Sequence, residues 1–213
     1  MKFDAVIFDL DGVICSTDEY HYAAWKKMAD SLAIPFDRTI NNRLRGVSRM
    51  ASLEIILEQY HGAPLSEAKK EQLAAMKNDI YRESLKNMSP ADLTDEVKRT
   101  LDALRAAGLK LAIGSSSKNT PFILERIGLG RYFDAVSDGN NITRSKPDPE
   151  VFLKAAEMLR LAPARCLVVE DAVSGAQAGH AGGFAVACVG DAAAAGAGDY
   201  NLHAFGELCG TAL

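Results

Sequence analysis

The chain has 213 residues, enough for one α/β core with a modest insert but too few for two domains of usual size. Its formal net charge of −4, with 48% apolar and 24% charged residues, is ordinary for a soluble globular protein and offers no basic face to nucleic acid or a membrane surface. The early apolar run Ala5–Phe8 is cut at once by Asp9 and Asp11, so it reads as neither a signal-peptide core nor a membrane span, and a cytoplasmic protein is expected.

The first predicted strand runs from Phe3 to Asp9. Residues 16–87 then break the pattern: no good strand occurs there, and four helical patterns appear at Glu19–Leu32, Arg38–Arg45, Arg49–Tyr60 and Ser66–Lys86. Asp18 or Thr17 is expected to cap the first of these helices and Ser66 the last. Beyond residue 87, strands at Leu109–Ser115, Phe133–Ser137, Cys166–Glu170 and Phe184–Val189 alternate with helices at Asp92–Ala107, Pro121–Ile127, Pro149–Leu159 and Ser174–Ala181. Such alternation argues for a parallel sheet covered by helices. Gly108, Gly128 and Gly182 sit where left-handed helix ends are wanted, and Ala192–Gly198 reads as a loose surface loop. The cysteines Cys15, Cys166, Cys188 and Cys209 are far apart, which argues against zinc and against a disulfide framework. Cys166 and Cys188 read as small core residues.

Four features lie where predicted strands end, the edge at which open α/β sheets bind ligands. In Phe8-Asp9-Leu10-Asp11-Gly12, two carboxylates two residues apart would point the same way on a continuing strand and repel unless a cation or proton separates them. They suit a metal site, or a nucleophile beside a general acid/base. Ser115-Ser116-Ser117-Lys118-Asn119 places hydroxyls, a cation and an amide before a helix start, a pattern that suits phosphate. In Ser145-Lys146-Pro147-Asp148-Pro149, two prolines stiffen a loop around a lysine that could pair with a phosphate. Glu170 and Asp171 end a strongly apolar strand with hard oxygen ligands that suit Mg²⁺. Each feature alone has an ordinary structural explanation: an Asp-rich turn, a serine-rich helix cap, an exposed lysine and a cap at Asp171.

Taken together and in this order, the four motifs resemble the haloacid dehalogenase superfamily of phosphatases and phosphomutases, from Phe3 to about Val189. The resemblance implies a doubly wound, Rossmann-like parallel sheet of order 3-2-1-4-5, with residues 1–15 and 88–213 as the core and 16–87 as an inserted four-helix cap. It further implies Asp9 as nucleophile, Asp11 as general acid/base, and Ser115 and Lys146 as holders of the transferring phosphoryl group. Mg²⁺ would be held by Asp9, Asp11 (through its carbonyl), Glu170 and Asp171.

A narrower likeness is to the sugar phosphomutases of that superfamily. It rests on Asp18-Glu19-Tyr20-His21, Ala24-Trp25, Leu44-x-Gly46-Val47-Ser48-Arg49, Ser52-Leu53, Lys77-Asn78, Ser89-Pro90-Ala91-Asp92 and Ser117-Lys118-Asn119. It implies that Arg49 and the segment Ser116, Ser117, Lys118 and Asn119 grip a second phosphate. Gly46 and Val47 would approach the sugar, Lys77 would lie near its hydroxyls, His21 would position Asp11, and Thr17 would act as a hinge. The expected partner is a small phosphosugar, with no nucleic acid or membrane partner, and the expected state is a monomer. A sugar-phosphate phosphatase on the same core and a non-catalytic phosphosugar sensor are the alternatives. The sequence departs from the family at Cys15-Ser16 and at Thr94-Asp95-Glu96, and its alanine-rich tail leaves a late edge strand in doubt.

Overall fold

The computed structural model describes residues 2–44 and 47–213. Gly46 and the end of the Arg38–Arg45 pattern lie outside the described residues. The chain divides into two compact units, Thr17–Asn87 and the rest.

The first unit is helical: α1 (Asp18–Asp30), α2 (Arg38–Asn42), α3 (Arg49–Leu57) and α4 (Glu67–Leu85). Three of the helices start on side-chain caps. Asp37 accepts from Ile40 N (2.9 Å), Ser48 from Ala51 N (3.3 Å) and Ser66 from Lys69 N (3.3 Å). The first helix departs from expectation: Thr17 occupies its cap position, but its side chain makes no capping bond, and Asp18 is already helical. Asp18 and Glu19 instead favour the dipole from the first turn. Trp25, Met28, Leu53, Ile56 and Leu73 form the apolar centre of this unit.

The second unit is a six-stranded, all-parallel sheet of order β3-β2-β1-β4-β5-β6. Its strands are β1 (Ala5–Phe8), β2 (Lys110–Gly114), β3 (Ala135–Ser137), β4 (Cys166–Glu170), β5 (Ala185–Cys188) and β6 (Tyr200–Asn201). The sixth, a two-residue strand beside β5, is the edge strand that the tail had left in doubt. The helices are α5 (Asp95–Ala106), α6 (Thr120–Arg126), α7 (Glu150–Leu159), α8 (Val173–Ala181), α9 (Gly190–Ala194) and α10 (Leu208–Ala212).

Every residue of β1 is fully buried, because successive side chains face opposite sides of a sheet covered on both. Ile7 joins Val151, Phe152 and Ala155 of α7 and Ala176 of α8. Phe8 faces the other way, its ring 6.1 Å from Phe205 and 6.3 Å from Phe133. Thr94 caps α5 by accepting from Val97 N (3.2 Å), so the unusual Thr94-Asp95-Glu96 stretch still starts the helix properly.

Two sequence expectations need correction. Ala192–Gly198 is only partly a loop: α9 takes in Ala192–Ala194 with Ala192 fully buried, since alanine is the best helix former and small enough to pack, and residues 195–198 follow as turn and loop. The left-handed residue after α8 is Gly183 (φ 78°), whereas Gly182 stays right-handed; Gly108 (φ 90°) and Gly128 (φ 81°) are left-handed as expected. The cysteines are all free, and Cys166 and Cys188 are fully buried. No helix among the described residues is long and apolar enough to cross a membrane.

Candidate active site

Strand register brings the motifs together. Phe8 pairs with Ile113 on one side and Val169 on the other, so the residues that follow each strand emerge at one edge. There Asp9, Glu170 and Asp171 each offer a carboxylate oxygen, all within 4.8 Å of one another. Lys146 joins them. Its ammonium, nearly fully buried, donates to Asp9 Oδ1 and Glu170 Oε1, each at 2.5 Å, and lies 4.6 Å from the centre of the Phe152 ring. An ordinary exposed lysine is therefore ruled out. The other oxygen of Glu170 accepts from the backbone N–H of Asp171 and of Ala172, both at 3.0 Å. Glu170 thus satisfies the backbone donors just before α8, whose cap position is Ala172 rather than Asp171.

The reading of Asp9 and Asp11 as neighbours on one strand is not what the structure shows. The strand stops at Phe8; Asp9 N still donates to Val169 O (2.9 Å), but the chain then turns through Gly12 (φ 83°). The Asp11 side chain is outside the three-carboxylate cluster. A Cβ at Gly12 would stand 2.1 Å from Asp171 Oδ2, so glycine is needed there both for its φ and for that approach.

Burial pushes the Asp9 carboxyl well above its ordinary range; Lys146 pulls it back, and Glu170, Asp171 and Asp11 push it up again. Burial opposes the charge of Lys146, but Asp9 and Glu170 outweigh it and hold the ammonium above its ordinary range. Burial, with Asp11, Asp9 and Asp92 nearby, also holds the Cys15 thiol far up, which makes it a poor nucleophile.

Beside this cluster, after β2, Ser115 is buried and its N donates to Ser137 O (3.1 Å). Ser115 Oγ accepts from Ser117 N, and Ser117 Oγ from Asn119 N, both at 3.2 Å. Ser116 Oγ is buried with no hydrogen-bond partner among the described residues. Asn119 is buried and Lys118 exposed. The loop after β3, which sequence reasoning missed, holds this segment: Gly139 N donates to Ser117 O (3.2 Å) and Asn140 Nδ2 to Lys118 O (3.0 Å). The Asp138-Gly139 turn was the available signal.

The chain matches the family model described as haloacid dehalogenase-like hydrolase over residues 3–183. It belongs to that family. It is 45% identical over 185 residues to the β-phosphoglucomutase of Bacillus subtilis strain 168, covering 85% of this chain and 81% of that one. It is 30% identical over 183 residues to a phosphorylated carbohydrates phosphatase of Thermotoga maritima, covering 85% and 82%. The solved β-phosphoglucomutase of Clostridium difficile superposes with a TM-score of 0.89 at 32% identity, covering 97% of this chain and 93% of that one.

This haloacid dehalogenase-family chain carries its remaining candidates in the helical unit. Lys77 is buried there; its ammonium lies 2.8 Å from His21 Nδ1 and 4.8 and 4.5 Å from the ring centres of Trp25 and Tyr81. An ammonium only donates, so Nδ1 accepts and the ring proton sits on Nε2. Burial, then the charges of Lys77 and Arg49, hold the His21 pKa well below its ordinary value. A folded-state pKa below the unfolded one gives stability that is complete above about pH 6.5 and fades as pH falls toward the folded value. Urea denaturation should therefore show the wild-type helical unit losing stability between pH 7.5 and pH 5, and His21→Gln losing much less. Equal losses would contradict a buried, neutral His21.

Arg49 is half-buried, and its Nη2 donates to Asn78 Oδ1 (2.8 Å). Asn78 was noted in sequence only as part of a motif, and its bond to Arg49 spans 29 residues. Val47 N donates to Leu44 O (3.2 Å).

The donor set fits a hard divalent cation. All three clustered ligands are carboxylate oxygens, which suit Mg²⁺ rather than a thiolate- or imidazole-preferring metal. Three clustered carboxylates face one ammonium, and the neighbouring acids add to the burial that raises the Asp9 pKa.

Proposed function

We propose that the protein is a Mg²⁺-dependent β-phosphoglucomutase, interconverting β-D-glucose 1-phosphate and D-glucose 6-phosphate through an aspartyl phosphate and β-glucose 1,6-bisphosphate. The observation that carries this reading is the convergence of Asp9, Glu170 and Asp171 within 4.8 Å around a buried Lys146. The 45% identity to a β-phosphoglucomutase narrows the substrate.

In this reading an Asp9 oxygen attacks one phosphate of the 1,6-bisphosphate, forming a P–O bond to Asp9 as the bond from phosphorus to the sugar oxygen breaks and a glucose monophosphate is left. Asp11 gives its proton to that leaving oxygen. In the other half, Asp11 takes a proton from the free hydroxyl of a glucose monophosphate, which attacks phosphorus, frees Asp9 and forms the 1,6-bisphosphate. Lys146 and Ser115 hold the oxygens of the transferring group. Asp9, Glu170, Asp171 and the Asp11 carbonyl would hold Mg²⁺, which when bound supplies the charge that offsets anion–anion repulsion.

The second phosphate is assigned to Arg49, Ser116, Ser117, Lys118 and Asn119. A guanidinium pairs two phosphate oxygens at once, and a buried, unpartnered Ser116 hydroxyl is what an anion's oxygen would satisfy. Val47 and Gly46 are assigned to the sugar, Lys77 to its hydroxyls, His21 to positioning Asp11, and Thr17 to the hinge. The protein is taken to act as a cytoplasmic monomer. The identity to a carbohydrate phosphatase favours a second reading, hydrolysis of a sugar phosphate on the same residues.

Arg49→Ala separates the two. Mutase turnover should fall by about 100-fold or more, as for loss of a charge-assisted phosphate contact, while hydrolysis of a small aryl phosphate changes by less than about threefold. Equal losses in both assays would remove Arg49 from the second-phosphate role.

A further inference from the structure

Gly175 lies in the first turn of α8, buried, five residues after Glu170. A Cβ built on it would stand 1.9 Å from Glu170 Oε1, 2.0 Å from its carboxyl carbon and 2.5 Å from Oε2. No side chain tolerates such contacts, so the space a methyl would occupy is filled by the carboxylate itself. Gly175 keeps right-handed helical geometry, so backbone conformation does not require a glycine here. Alanine is the better helix former at such a position. What glycine supplies is room.

We propose that Gly175 is a positioning residue for the active site: by lacking a side chain it seats the Glu170 carboxylate against the start of α8. There one Glu170 oxygen takes the N–H groups of Asp171 and Ala172, and the other is aimed at Lys146. Both sides of the seat are fixed, since Glu170 is 1% exposed and its three partners come from two directions. Adding a methyl leaves the backbone unchanged and forces the flexible end of Glu170 to move. That movement breaks the Lys146 contact and spreads the three-carboxylate cluster. The inference rests on the Mg²⁺ reading given above.

The test uses the full chain. Mg²⁺ binding by the wild type and by Gly175→Ala is measured calorimetrically without substrate, alongside the urea midpoint of each. Binding by the variant should be about 10–100-fold weaker, as for loss of a residue supporting a metal ligand, with a cooperative urea transition kept but its midpoint lowered by the strained, displaced carboxylate. Glu170→Asp in the same variant draws the carboxylate back by one methylene. It should recover at least about threefold of the lost affinity, although Glu170→Asp alone weakens binding. If Gly175→Ala does not fold, the double variant should. Unchanged Mg²⁺ affinity in Gly175→Ala, or a double variant no better than the single one, would overturn the role of Gly175 while leaving the metal site standing. Absence of Mg²⁺ binding by the wild type would overturn the metal reading and this inference with it.

Discussion

Asp9→Asn should abolish phosphoryl transfer and leave the fold as it is. Asparagine keeps the shape and can still accept from Lys146, but its amide oxygen is not a competent nucleophile toward phosphorus. Loss of a covalent nucleophile costs on the order of 10⁴-fold or more in turnover. The fold should survive because Lys146 retains Glu170 as a buried partner. Removing one of three crowded carboxylates also relieves repulsion, so the Mg²⁺-free urea stability should stay within about 1 kcal/mol of wild type. Turnover within tenfold of wild type, measured with the same phosphosugar, would rule out an aspartyl phosphate on this residue.

Lys146→Ala should have the largest effect on stability. The ammonium is the shared buried partner of Asp9 and Glu170. Its removal leaves two carboxylates without their cation, and breaking a buried pair from one side typically costs about 3–5 kcal/mol. The loss is expected in urea denaturation without metal, and saturating Mg²⁺ should reduce it by supplying charge to the same oxygens. Turnover should fall by about 10²–10³-fold, as for one lost donor to a developing anion. Lys146→Met, which keeps the stem against Phe152, should lose as much activity but somewhat less stability. A stability change below about 1 kcal/mol without metal would mean that the pair is not paired and buried as described.

Parts of this were readable from the sequence because they are local. Cys166–Glu170 is a strand over the residues expected, since a β-branched apolar run ended by acids leaves little choice. The first strand is shorter than expected because Asp9 and Asp11 already belong to the turn that Gly12 makes possible. At residues 192–194, low complexity was weighed as looseness, whereas alanine's helix propensity and small volume decided the outcome, and only residues 195–198 are the loop expected. The acids, hydroxyls and lysine at strand ends were legible as motifs, and parallel register placed Asp9, Lys146, Glu170 and Asp171 together. Gly175 and Asn78 were not legible in the same way. One acts by empty space against Glu170 and the other by a bond to a residue on another helix, and neither leaves a spacing pattern. A glycine inside an otherwise helical run was the single hint.

The most direct test mixes the purified protein with Mg²⁺, β-glucose 1-phosphate and a trace of glucose 1,6-bisphosphate, and follows glucose 6-phosphate and free phosphate together. Fast glucose 6-phosphate formation with little free phosphate is expected, because a sugar hydroxyl rather than water takes the phosphoryl group from Asp9. Free phosphate without glucose 6-phosphate would contradict the mutase reading and assign the same residues to a phosphatase.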